Sequence, residues 1–382
     1  MTNPFKYGKE VTGYQFYDRV RAADELYRHL RDGTTNVVIS APRRYGKTSL
    51  VMKVLERFRQ EGTRCLHFDV SKVGSVERFC EEYAAAVSAL FGGLPDVMRR
   101  ISDALVPLHP TFSLSPKGVA VRFDYGDRMT ASSVSEVLEL PERLAASADA
   151  ATVVVAFDEF QEVAGLSRDV PLEAVFRGVI QSHTRVRYAF LGSKTHLMKR
   201  MFGLSSRPFY RSALTLKVGK PPEDESAEFV SSRFASEGIA IPVELTEEIV
   251  RVSENIPYYL QAVAGLAFFS VERRNGREVE RGDIDFAVTR LLENGEDLYA
   301  EILSKLSSCQ RALLEALAAE PAAKFDDSYR SRHALGNVST LHSSRRGLIE
   351  QGLVEQEDGR YKVGDPFFAR YIQTASAARV LL

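Results

Sequence analysis

The apolar positions of this chain change period along its length. In the first 218 residues, short continuous apolar runs rich in β-branched residues predict strands at 36–40, 63–70, 152–158, 186–192 and 212–218. Between them the apolar spacing becomes helical. A helix near 18–31 puts Leu26 and Leu30 on one face and has Gly33 as its stop. Such alternation predicts a mostly parallel sheet wrapped by helices. The stretch 107–130, rich in Pro, Ser, Gly and Asp, interrupts the alternation and reads as a long surface excursion.

From residue 219 the strand signal disappears. Lys220-Pro221-Pro222 opens a helical section, in which Asn255-Ile256-Pro257-Tyr258-Tyr259-Leu260 is a proline-bearing helix start. After residue 300 the pattern changes again. Helices are predicted at 307–319, with Leu313, Leu314 and Leu317 on one stripe, near 328–335, and at 339–351, with Leu341, Leu348 and Ile349 inward. Two strand-like segments then flank Glu357-Asp358-Gly359, an Asp-Gly hairpin signal. Three helices and a hairpin make a winged helix-turn-helix. The expected division is a sheet domain at 1–218, a helical lid at 219–300 and a winged helix at 301–382.

Composition narrows the class. At 382 residues, 45% hydrophobic and 26% charged, the chain has the make-up of a soluble globular protein with two or three domains. Cys65, Cys80 and Cys309 form no CxxC pair, which argues against a disulfide framework or zinc site and favours a reducing, cytoplasmic setting. The seven histidines show no ligand spacing, so no transition-metal site is read. No apolar run has the ~20 residues of a membrane span, and Met-Thr-Asn-Pro-Phe-Lys lacks a signal-peptide hydrophobic region. A net charge of −1 provides no global field for nucleic acid.

The chemistry concentrates at two strand ends. After the run 37–40 comes Ala41-Pro42-Arg43-Arg44-Tyr45-Gly46-Lys47-Thr48, followed at once by the helix-forming Ser49-Leu50-Val51-Met52. Strand, loop and helix with Gly-Lys-Thr at the loop's end read as a phosphate-binding loop. Backbone N–H groups at a helix N-terminus and a close-wrapping Gly46 suit a triphosphate. Lys47 can reach its β- and γ-phosphates, and Thr48 is placed to ligate Mg²⁺. Ala41 stands where the pattern has glycine and is expected to make the opening turn less permissive. The second strand end is Thr152-Val153-Val154-Val155-Ala156-Phe157-Asp158-Glu159. Downstream of a phosphate loop, Asp158 suits the Mg²⁺ site and Glu159 the orientation of an attacking water.

Further segments extend this into a resemblance. The chain resembles the archaeal and bacterial P-loop ATPases related to AAA+ and to the signal-transducing STAND NTPases. The carriers are Phe16-Tyr17-Asp18-Arg19 leading into Glu25-Leu26, the loop 41–48, Phe157-Asp158-Glu159-Phe160-Gln161, Phe190-Leu191-Gly192-Ser193, Ser206-Arg207-Pro208-Phe209-Tyr210, Asn255-Ile256-Pro257-Tyr258, and Asp365-Pro366-Phe367-Phe368-Ala369-Arg370-Tyr371. These cover nearly the whole chain in order. The resemblance implies an α/β fold with a P-loop NTPase core of the ASCE/AAA+ kind, a helical lid and a winged helix. It implies ATP and Mg²⁺ held by Pro42, Arg43, Arg44, Tyr45, Gly46, Lys47, Thr48 and Ser49, with Thr48 and Asp158 on the metal. Lys47, Asp158 and Glu159 are then the catalytic group. Ser193 would act as a sensor of the γ-phosphate or attacking water, and Arg207 as an arginine finger, in cis or from a neighbouring subunit. Pro257 and Tyr258 would lie against adenine.

The winged helix leaves the task open. Residues 301–382 hold 11 Lys+Arg and 10 Asp+Glu. Burying Leu341, Leu348 and Ile349 points Ser343, Arg346, Gly347 and Glu350 outward, a poor phosphate-binding face. The tip Glu355-Gln356-Glu357-Asp358 is acidic and expected to repel a nucleic-acid backbone, while Arg345, Arg360 and Lys362 could supply a modest basic patch. Packing or protein-partner recognition is favoured over DNA reading. The expectation is an ATPase switch whose nucleotide state repositions lid and winged helix to control a partner or a homo-oligomer. The alternatives are an ATP-dependent DNA-binding protein similar to origin-recognition ATPases and a non-hydrolysing nucleotide-binding scaffold.

Overall fold

The computed structural model describes residues 2–8, 19–33, 35–92, 95–105, 109–115, 118–124, 129–148 and 152–380. The segment 16–18 of the proposed leading box lies outside the described residues. The chain divides into two compact units, one of residues 19–43 and 47–219, the other of residues 2–8, 44–46 and 220 onward.

The first unit contains α1 (Val20–Asp32), β1 (Asn36–Ser40), α2 (Lys47–Gln60), β2 (Arg64–Asp69), α3 (Val76–Leu90), α4 (Pro95–Ala104), β3 (Thr111–Ser115), β4 (Gly118–Arg122), α5 (Ala131–Ser147), β5 (Val153–Asp158), α6 (Leu172–Ser182), β6 (Val186–Gly192), α7 (Thr195–Gly203) and β7 (Ala213–Lys217). Its main sheet runs β2-β5-β6-β1-β7 with every pair parallel. The interior strand β5 is buried at every position: its apolar run 153–157 can be covered on both faces, and the buried Asp158 closes it. Phe157 lies there among Tyr83, Phe176, Tyr188 and Phe190, with ring centroids 5.5–6.2 Å away. In α1, Leu26 and Leu30 are buried, and Gly33 ends the helix at φ +65° with its N–H on the His29 carbonyl.

One expectation for this unit fails. The stretch 107–130 includes the antiparallel hairpin β3–β4, and Val121, Phe123 and Met129 are buried in the core. Its turn residues hid the short strand 118–122, of which Val121 packs inward.

The second unit contains α8 (Glu223–Ser236), α9 (Val243–Val252), α10 (Pro257–Arg273), α11 (Arg281–Lys305), α12 (Ser308–Ala319), α13 (Asp327–Arg332), α14 (Val338–Glu350), β8 (Val354–Glu357), β9 (Arg360–Val363) and α15 (Pro366–Val380). Pro257 starts α10 at the first turn, where its missing N–H costs no helical hydrogen bond. Asn255 before it is buried at φ +55°; its side chain donates to the Pro221 carbonyl at 2.7 Å and accepts from Ser226 Oγ at 2.6 Å. Ser307 and Gln310 cap α12 reciprocally, and Asn337 caps α14. The β8–β9 turn has Asp358 and Gly359 both at positive φ, as a two-residue hairpin requires. Ala322 pairs with Tyr361, adding a short third strand segment to the wing.

In α14, Leu341 and Leu348 are buried while Ser343, Arg346 and Glu350 face solvent; Ile349 and Gly347 are half-buried. The wing corrects two expectations. Lys362 is only 12% exposed and reaches Glu254 at 2.8 Å, Glu357 at 2.6 Å and Glu355 at 3.5 Å. Lys220 adds a contact to Glu357 at 3.1 Å. Lys362 is therefore spent on internal carboxylates and is not part of a basic patch. Two of the acidic tip residues, Glu355 and Glu357, are neutralised in the same cluster rather than projecting as free charge. Arg345 lies over the Tyr361 ring at 4.8 Å, and Arg360 is exposed.

Candidate functional site

Parallel strands bring their C-terminal ends to one edge of the sheet, and here those ends carry the chemistry. The loop after β1 delivers Lys47 and Thr48 into the first turn of α2. The end of β5 presents Asp158 and Glu159, and the end of β6 presents Ser193. Thr48 Oγ donates to Asp158 Oδ2 at 2.6 Å. Asp158 Oδ1 accepts the Glu159 N–H at 2.8 Å. Burial by itself would push the Asp158 carboxyl up, but hydrogen bonds from His67 and Thr48 and the adjacent N–H hold it below the usual carboxylate range.

Glu159 is fixed as closely. Its backbone sits at φ +49°, ψ 41°, a left-handed conformation that costs a side-chain-bearing residue of order 1–3 kcal/mol. Its Oε2 accepts from Ser193 Oγ at 2.7 Å, from the Ser193 N–H at 3.4 Å and from the Gln161 side-chain amide. Gln161 can reach it because Gly192 leaves room: a Cβ at Gly192 would come within 2.6 Å of Gln161 Oε1 and 2.4 Å of Met198. Strain held by three donors marks Glu159 as a residue whose position matters more than its local comfort.

Lys47 is 6% exposed, and its ammonium donates to the Pro42 carbonyl at 3.2 Å. Burial lowers its pKa; Glu159 and Asp158 oppose that, while Arg43 and Arg19 reinforce it. A buried ammonium near two carboxylates and two guanidinium groups is suited to a ligand with several negative charges. The expected penalty at Ala41 does not arise. Positive φ falls on Arg44 (+71°) and Gly46 (+76°), while Ala41 is buried with its N–H toward the Gly192 carbonyl. Thr48 and Asp158 supply neighbouring hard oxygen donors, a set that fits Mg²⁺ and not a softer metal.

Within the second unit, loop residues 44–46 meet the predicted lid motif. The Tyr258 N–H donates to the Arg44 carbonyl at 3.3 Å, and a Cβ on Gly46 would lie 4.0 Å from Pro257. The Arg44 guanidinium pairs with Asp365 and lies over the rings of Tyr258 and Tyr259 at 5.1 and 4.9 Å. Tyr45 donates to Glu355 at 3.2 Å. Pro42 and Ser49 are half-buried and Arg43 is exposed.

The structure therefore brings Lys47, Thr48, Asp158, Glu159 and Ser193 together. It does not bring Arg207 to them: its guanidinium pairs with Glu173 on α6. Sequence reasoning passed over His67, whose Nε2 is 3.3 Å from Asp158 Oδ2. A polar residue in β2 two places before Asp69, which registers with Asp158, was the available signal. Sequence reasoning also gave Gln161 no role, although the residue lies two places after Glu159.

Comparison with known proteins agrees with this architecture. The family described as a probable winged helix domain matches residues 297–374. The Walker-type ATPase Paby2304 of Pyrococcus abyssi superposes with a TM-score of 0.68 at 19% identity, over 97% of this chain and 99% of that one. The Aeropyrum pernix ORC2 protein, in ADPNP–ADP complexes, gives 0.56 at 14% identity over 96% of each chain. The Aeropyrum pernix ORC1 protein, in complex with DNA, gives 0.51 at 14% identity over 98% of this chain and 96% of that one. A search of curated protein sequences finds no match. The fold is that of P-loop ATPases carrying a C-terminal winged helix. No helix among the described residues is long and apolar enough to cross a membrane.

Proposed function

We propose that this chain is a Mg²⁺-dependent ATP-binding and hydrolysing switch, in which residues 1–218 form the ATPase core, 219–300 a lid and 301–382 the winged helix. The observation that carries the reading is the contact of Thr48 with Asp158 at 2.6 Å beside the buried Lys47, with Glu159 held by Ser193. On this reading the Lys47 ammonium leaves the Pro42 carbonyl for the β- and γ-phosphates. Mg²⁺, held by Thr48 and Asp158, supplies neutralisation of phosphate charge. Ser193 and Gln161 occupy Oε2 of Glu159, so Oε1 is the oxygen that orients a water toward the γ-phosphate. Arg207 is assigned a part in hydrolysis only after release from Glu173, in cis or across a homo-oligomer interface. Pro257 and Tyr258 are assigned to the adenine end.

The switch reading draws support from Arg44 and Tyr45, whose side chains hold Asp365 and Glu355 of the winged-helix segment. Loop residues reshaped by a triphosphate would alter those bonds and so report nucleotide state to a protein partner or to assembly. Two variants test the enzyme. Lys47→Ala is expected to abolish ATP binding in a fluorescent-nucleotide titration, and Glu159→Gln to bind ATP but release phosphate far more slowly. Equal turnover by wild type and Glu159→Gln sinks the assignment. Tight ATP binding with no phosphate release over hours would instead favour the scaffold.

A DNA-binding ATPase resembling origin-recognition proteins is the second reading, favoured by the exposure of Arg346 and Arg360 and by the likeness to ORC1. It requires salt-sensitive duplex binding that weakens in Arg346→Ala and Arg360→Ala. Fluorescence anisotropy showing no binding at low salt dismisses it.

A further inference from the structure

Three arginines of the second unit line an open pocket of about 330 Å³. It is lined by Glu248 and Arg251 of α9, Arg281, Ile284 and Asp285 of α11, and Arg370 of α15. The spacing explains the arrangement. Positions 248 and 251 lie three apart on one helix face, and 281, 284 and 285 do the same on the next, so each helix turns a single stripe toward the opening. Its volume is at the lower end of the range typical of small-ligand pockets.

The charges are unevenly matched. Glu248 is shared by Arg251 at 3.2 Å and Arg281 at 3.0 Å. The Arg370 guanidinium, by contrast, makes no hydrogen bond or ion pair to any described residue. The lining holds three positive and two negative side chains, a net of +1. Glu254, whose charge also acts on Arg370, is engaged by Lys362 at 2.8 Å. Burial and the like charge of Arg251 lower the pKa of Arg370, with Glu254 and Glu248 opposing them. A partly desolvated guanidinium facing a small pocket, with carboxylates acting on it but none in direct contact, is stabilised by gaining an anion, and guanidinium geometry suits the oxygens of a phosphoryl group.

We propose that this pocket is a binding site for a small phosphorylated molecule, with Arg370 as the central contact and Arg251 and Arg281 flanking it. The site lies wholly among the lid and winged-helix helices, and it does not depend on the ATPase assignment. Its ligand bridges α9, α11 and α15, so occupancy favours one arrangement of these three helices.

The probe is inorganic pyrophosphate, titrated calorimetrically into full-length protein at constant ionic strength. The Lys47→Ala background removes the phosphate-loop ammonium from consideration. Saturable one-site binding is expected. Affinity should fall about tenfold or more in Arg370→Ala, the loss of a charge-assisted contact, and less in Arg370→Lys. Arg251→Ala, at an exposed helix position, should weaken binding too; it serves as the independent variant if Arg370→Ala melts early. Arg360→Ala, on the wing, should leave affinity unchanged. No saturable binding overturns the proposal, as does equal affinity in wild type, Arg370→Ala and Arg251→Ala. A loss in Arg360→Ala as large as in Arg370→Ala reduces it to unspecific screening. Duplex DNA that binds through Arg370 where pyrophosphate does not replaces the small molecule with a nucleic-acid backbone.

Discussion

Removing the Ser193 hydroxyl separates two roles that the position can play. As a γ-phosphate sensor, Ser193 would touch nucleotide or water directly. In the structure it touches Glu159 instead, donating to Oε2 at 2.7 Å from Oγ and at 3.4 Å from its backbone N–H. Ser193→Ala deletes the first bond and leaves the second, along with the Gln161 amide. A hydrogen bond to a charged group is worth about 1.5–3 kcal/mol. The remaining donors recover part of it, which leaves about 1–2 kcal/mol of lost positioning. At about 1.4 kcal/mol per tenfold in rate, kcat should fall between about 5- and 30-fold. The KM for ATP should hardly change, because the bond does not involve the phosphate loop.

A double-mutant cycle gives the decisive comparison. If Ser193 works through the Glu159 carboxylate, then Ser193→Ala costs little more once Glu159→Gln has removed that carboxylate. Single-turnover phosphate release with all four proteins measures this. Ser193→Ala slowing release by the same factor in both backgrounds refutes the argument and restores a direct contact to the γ-phosphate.

Other consequences follow from the same structure. Glu142 of α5 accepts from the backbone N–H groups of Thr184, Arg185 and Val186 and from the Thr184 hydroxyl at 2.9–3.1 Å. Burial would raise its pKa, but these donors lower it, so its contribution is present above the unfolded value near about 4.3 and is lost as pH falls through the folded one. Glu142→Gln should therefore flatten the fall of Tm between about pH 5 and about pH 3; an unchanged slope rejects the link. Lys362→Met leaves Glu254, Glu355 and Glu357 without their shared direct cation, and urea unfolding should show a loss of about 1–3 kcal/mol, between a surface pair and a broken buried one, because Glu254 and Glu357 are partly exposed. A loss below about 0.5 kcal/mol would show a solvated cluster worth no more than a surface pair. Phe157→Ala removes the central ring of the aromatic core and should cost about 3–5 kcal/mol by the same measurement.

What the sequence made legible divides along a physical line. The all-apolar run ending in Asp158 and the loop ending in Gly-Lys-Thr are local signals, because burial on both strand faces and phosphate wrapping each constrain adjacent residues. They placed Lys47, Thr48, Asp158 and Glu159 without knowledge of packing. The hairpin within 107–130 was obscured because Pro, Gly and Asp are scattered through and around it, while Val121 and Phe123 reveal the inward face. Contacts between distant segments left no local trace. His67 is 91 residues from Asp158, and Lys362 is 108 from Glu254. The wing has a different cause: counted along the chain, Glu355 and Glu357 form an acidic tip and Lys362 a basic one, but the hairpin sets Lys362 opposite Glu355, and folding spends each on the other. A face for nucleic acid cannot be read from charges that are already paired. By the same reasoning Arg370 stands out, since its guanidinium finds no described carboxylate partner while Arg251 and Arg281 share Glu248.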